Sequence, residues 1–80
     1  MQLQDIPSSL RIYFEQTPEV LSGKLRVRGT RISLEQVLEL IETGVRPTEI
    51  IQSFPSLTEQ DVAAVEQLAA HSALMLLQSA

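Results

Sequence analysis

The chain has 80 residues, fewer than the 100–150 usual for one domain, so a second domain is excluded. Six Lys or Arg against ten Asp or Glu make it acidic at net −4, and 44% hydrophobic residues with 20% charged exclude a disordered chain. It has no cysteine, which excludes disulfides, thiolate metal sites and cysteine nucleophiles.

The first ten residues carry little pattern. Over residues 10–15, Leu10, Ile12 and Phe14 alternate with Arg11, Tyr13 and Glu15. That period of two predicts a strand. Thr17, Pro18 and Glu19, then Ser22 and Gly23, read as turns. Lys24, Arg26 and Arg28 next alternate with Leu25 and Val27, predicting a second strand with its cations on one side. The two segments pair as a small antiparallel ribbon, marginally stable alone.

From Ser33 the period changes. Leu34, Val37, Leu38 and Ile41 form one apolar stripe at helical spacing, predicting a helix over about 33–43. Ser33 with Gln36 makes a capping box, and Ile32 can staple onto Val37. Gly44 suits the left-handed position after the helix, with Val45 placed against Leu40 in a Schellman closure. A short helix starts near Pro47, turns Ile50, Ile51 and Phe54 inward, and stops at Pro55. A third begins at the N-cap Thr58, with Asp61 in the box position and Leu57 stapling onto Val62. Its stripe of Val62, Val65, Leu68, Ala69, Ser72, Met75 and Leu76 carries it to about Gln78. The expected architecture over residues 1–80 is one mainly α domain. A two-stranded β ribbon and turn at about 10–32 precede three helices at about 33–78.

The longest apolar run, residues 73–77, is far short of the roughly 20 residues that span a bilayer. Residues 1–4 lack the pattern of a secretion signal. The expectation is a cytoplasmic protein with no membrane contact. A chain this short buries about 60–65% of its surface on folding. Lacking other staples, it is expected to form a homodimer or hold a lasting partner.

Enzyme chemistry finds no residues. His71 is the only histidine, which rules out a histidine metal pair within one chain. No serine sits in a nucleophile elbow or beside a basic partner. Glu35, Glu39 and Glu42 line the outer side of the first helix as a solvated face, and the glycines lack phosphate-loop spacing. The chain is read as a non-enzyme with no cofactor and no metal.

The placement of charge says more than its sum. Five of the six cations lie between Lys24 and Arg46, four of them in the acid-free residues 24–31. The third helix carries Glu59, Asp61 and Glu66 and no Lys or Arg. Lys24, Arg26, Arg28 and Arg31 are therefore candidate contacts for phosphate, as in DNA, or for a partner's carboxylates. The other reading, which stays open, is that they solvate an edge strand and deter aggregation. Gly29 is expected to take positive φ in a structural turn where Thr30 bonds the local backbone. The second and third helices, joined through Pro55 and Leu57, resemble a helix-turn-helix. Its reading turn would present Thr58, Glu59, Gln60 and Asp61, whose carboxylates oppose phosphate binding. DNA contact would then fall to the basic ribbon.

Val27-Arg28-Gly29-Thr30-Arg31-Ile32, the helix beginning Leu34-Glu35-Gln36-Val37, Gly44, Pro47-Thr48-Glu49-Ile50-Ile51 and Phe54-Pro55-Ser56-Leu57-Thr58 follow one another in order. Over about residues 10–70 this resembles domain of unknown function family 433 (DUF433). The resemblance implies a homeodomain-like or winged-helix-like core, mainly helical with a short ribbon. It also implies a bacterial or archaeal antitoxin of VapBC type, encoded beside a PIN-domain ribonuclease toxin. Such a protein blocks its toxin and, as a complex, binds its own promoter. The family brings no catalytic residues. The alternative is a dimeric adaptor with no nucleic-acid role. Leu74, Met75 and Leu77 lie in the apolar 73–77 run and need burial, against a dimer mate or partner, or within the chain.

Overall fold

The computed structural model describes the backbone of residues 1–79 and side chains as far as Ala73. The architecture is mainly helical, with two very short strands, β1 (Phe14–Glu15) and β2 (Arg26–Val27), and three helices, α1 (Leu34–Glu42), α2 (Pro47–Ser53) and α3 (Glu59–Ser79). The strands pair antiparallel in the register Phe14 to Val27 and Glu15 to Arg26.

The expected strand over residues 10–15 shrinks to its last two positions. Arg11–Tyr13 is a tight 3₁₀ turn, with Tyr13 N donating to Leu10 O at 3.1 Å. Leu10 and Phe14 are buried while Ile12 is 65% exposed, so burial follows a spacing of four and not of two. The Arg11 guanidinium holds the turn, its Nε donating to Ile6 O at 2.7 Å and its Nη2 to Gln4 O at 3.0 Å. That folds the unpatterned N-terminus inward, and Ile6 becomes fully buried.

β2 also departs from alternation, because Leu25, Arg26 and Val27 are all buried. It lies between β1 on one edge and an isolated bridge from Arg26 to Ser33 on the other. A strand flanked on both edges with α1 packed against it leaves neither face fully to solvent.

The helices stand where the sequence places them. Ser33 Oγ accepts from Gln36 N at 3.1 Å and starts α1. Gly44, at φ 90°, ends it: Val45 N donates to Leu40 O at 3.0 Å and Gly44 N to Ile41 O at 3.1 Å, the two bonds of a Schellman closure. Pro47 occupies the first turn of α2. Thr58 and Asp61 cap α3 reciprocally, Thr58 N donating to Asp61 Oδ2 at 2.9 Å and Asp61 N to Thr58 Oγ1 at 3.1 Å. α1 and α2 pack against α3. One core gathers Ile6, Leu10, Phe14 and Val27 from the first third of the chain with Leu34, Val37, Ile50, Leu57, Val62, Val65 and Leu68 from the helices. Ala64, outside the expected stripe, is buried too.

Candidate functional site

Residues 24–31 enter along β2 and leave through a tight turn that delivers Ser33 to the start of α1. Thr30 N donates to Val27 O at 3.0 Å, closing a β-turn with Gly29 third at φ 77°. A positive φ at that position is the requirement of a type II turn, which glycine meets without strain. The Thr30 hydroxyl donates to Val27 O at 2.8 Å and accepts from Ile32 N at 3.1 Å. Val27 N donating to Ile32 O and Leu34 N to Leu25 O then lock the returning chain onto β2. Gly29 and Thr30 thus build the turn, and Gly44 closes α1 at a separate place.

The four candidate cations divide. Arg26 does not stand on an exposed strip. Its side chain is 10% exposed, its Nη2 donates to Glu15 Oε2 at 2.6 Å, and its Nη1 donates to Thr17 Oγ1 at 3.2 Å. The cause is register: Glu15 is the residue paired with Arg26 across the sheet, and a cross-strand pair of opposite charge folds inward together. Arg26 has little surface to offer a ligand. Arg28, two residues on, reaches the same carboxylate only loosely, Nε to Oε1 at 3.6 Å, and is 57% exposed. Lys24 and Arg31 are exposed and make no ion pair among the described residues. Lys24 and Arg31 line one shallow depression of about 300 Å³, with Leu21, Ser22, Ser33 and Gln36 and no carboxylate.

Three exposed cations within residues 24–31, two of them, Lys24 and Arg31, on one depression, can hold phosphate or carboxylate oxygens. The start of α3 is the reverse: Thr58, Glu59 and Gln60 are exposed, and the Asp61 carboxylate is bound to Thr58 N. His71 is exposed on α3, and no group of three His, Asp or Glu clusters as metal ligands among the described residues. The Leu74, Met75 and Leu77 side chains lie outside the described residues.

Two contributors escape sequence reasoning. Gln16 knits three segments: its Oε1 accepts from Leu3 N at 3.1 Å, and its Nε2 donates to Gly23 O at 3.0 Å and to Gln2 Oε1 at 2.9 Å. Leu21, Ser22 and Gly23 form a turn in which every φ is positive, 52°, 55° and 81°. Only the glycine signals it. Between that turn, the N-terminus and α1 runs an open groove of about 740 Å³.

Comparison with known proteins places this arrangement. The family described as "Protein of unknown function (DUF433)" matches residues 15–69, more than half of the chain. No curated protein matches. A crystal structure of a DUF433 member from Anabaena variabilis superposes with a TM-score of 0.66 at 24% identity, over 89% of this chain and 70% of that one. At that identity the likeness is one of fold.

Proposed function

The chain belongs to the DUF433 family, and on that premise we propose that it is a cytoplasmic, antitoxin-like regulator that binds a PIN-domain ribonuclease and contacts promoter DNA. The observation that carries the DNA half is that Lys24, Arg28 and Arg31 are exposed within one acid-free stretch of an acidic chain, Lys24 and Arg31 on one depression. Arg26 is not among the contacts, since Glu15 neutralises it internally. The succession of α2, the 54–58 connection and α3 supports a helix-turn-helix, homeodomain-like reading of the core. The acidic first turn of α3 leaves groove contact to the basic turn. A homodimer would present two such turns. No helix among the described residues is long and apolar enough to cross a membrane.

The test is retention of the chain's own upstream DNA across a salt titration, with and without a neighbouring PIN-domain protein. Three phosphate contacts per chain correspond to a slope of log affinity against log salt of about −3 per chain. Arg28→Gln with Arg31→Gln lowers that slope by about two. No retention in either state would move the conclusion to a dimeric adaptor without a nucleic-acid role. The exposed Glu35, Glu39, Glu42 and Glu59 favour that second reading.

A further inference from the structure

The groove of about 740 Å³ shares Ser22 and Lys24 with the depression that Arg31 lines, but its α1 side has no role assigned so far. Its floor is apolar: Leu25 and Leu34 are buried and Leu38 half-buried. Along one rim stand Glu35, Glu39 and Glu42, at i, i+4 and i+7 of α1, a single row about 10 Å long. No cation pairs with any of the three among the described residues, and all are exposed. The opposite rim, from Gln16 and the left-handed turn to Lys24, is held by the Gln16 bonds to Leu3 and Gly23.

We propose that this groove is the docking surface for a basic, amphipathic segment of a partner protein. Its apolar side chains would lie on Leu25, Leu34 and Leu38 while its Lys or Arg side chains meet the glutamate row. The charge decides the occupant. The three unpaired carboxylates outnumber Lys24, the one Lys or Arg on the groove, and repel the phosphates of nucleic acid and of anionic lipid alike. A groove open along its length does not enclose a small molecule as a ligand pocket does. A row of acids beside an apolar strip matches a helix or extended segment with leucines and arginines on adjacent faces. The proposal rests on the protein-binding half of the function above and names the surface and the partner's chemistry.

The experiment uses the full chain, isotopically labelled, and a fluorescent peptide of about 12 residues with leucines at i and i+4 and arginines one position after each. Binding is expected to move the amide signals of Ser22, Gly23, Leu38 and Glu42. Glu39→Lys with Glu42→Lys is expected to weaken it about tenfold or more. Glu59→Lys with Glu66→Lys changes the net charge equally, away from the groove, and is expected to weaken it less than about twofold. Leu38→Gln is expected to weaken it about fivefold at unchanged charge. Equal loss in the two charge pairs, or signals moving elsewhere, overturns the proposal. DNA retention in the same samples keeps the two readings apart. A chain that retains DNA but ignores the peptide loses the groove assignment alone. A chain that takes the peptide but neither DNA nor a PIN-domain protein keeps the groove and loses the regulator reading.

Discussion

Residues 1–33 hold two strands of two residues each and three single 3₁₀ turns, whereas residues 34–79 hold three helices. In the helical region every side-chain hydrogen bond among the described residues sits at a helix end: Ser33 with Gln36, Thr43 with the Glu39 and Leu40 carbonyls, Thr58 with Asp61. In the first region side chains bridge residues distant in sequence, to backbone or to one another. Arg11 reaches Ile6 and Gln4, Gln16 reaches Leu3 and Gly23, and Arg26 reaches across to Glu15 and Thr17. A helix satisfies its interior backbone by itself and needs help only at its termini. An irregular segment must find each partner singly, so its side chains take over that work. Polar residues in the first region thus carry architecture, and their charge is a poor guide to what they bind.

The sharpest break of the comparison is a cavity on each side of the shared core. Phe14→Ala, in the irregular region, is expected to cost about 4 kcal/mol, and Leu68→Ala, in α3, about 3 kcal/mol. Both are read by urea unfolding followed by far-ultraviolet circular dichroism. One transition in both variants means one cooperative unit. A first transition without helix loss in Phe14→Ala alone would mean that the first region opens separately. Arg26→Met is next, at about 2 kcal/mol: it strands Glu15, whose one-third exposure lets water offset part of the loss. Arg26→Met with Glu15→Met should recover most of that stability, and a double variant no better than the single would show that Thr17 and packing dominate. Smaller, and alike in the two regions, are Gly29→Ala and Thr58→Ala at about 1 kcal/mol each. A Cβ at Gly29 meets nothing within 4 Å, so only backbone strain opposes it. Arg28→Gln comes last, below about 0.5 kcal/mol in thermal unfolding, because its contact with Glu15 is long and wet. A larger loss would move Arg28 from the candidate surface into the scaffold.

The same contrast explains what was legible from residues alone. Caps, the Schellman glycine and the proline start are local chemistry, and the helices lie where Ser33, Gly44, Pro47 and Thr58 put them. The turn at Arg28, Gly29 and Thr30 was legible for that reason too. Residues 10–15 misled because Leu10 and Phe14 satisfy a turn's spacing of four as well as a strand's alternation, and the Arg11 bonds to Ile6 and Gln4 decide between them. Arg26 misled because its facing depends on which residue sits across the sheet, a matter of register and not of composition. The groove joins α1 to residues distant in sequence, and no local pattern encodes that meeting.

The turn at Leu21, Ser22 and Gly23 coils in the hand opposite to every helix in the molecule. Two of its residues are L-amino acids in the territory that a mirror-image residue takes by default, at a cost of roughly 1–2 kcal/mol each. Ser22 is exposed and its side chain makes no hydrogen bond among the described residues, so chirality alone sets its contribution. Total chemical synthesis with D-serine at position 22 would then yield a tighter molecule, where the same inversion inside a helix would break one.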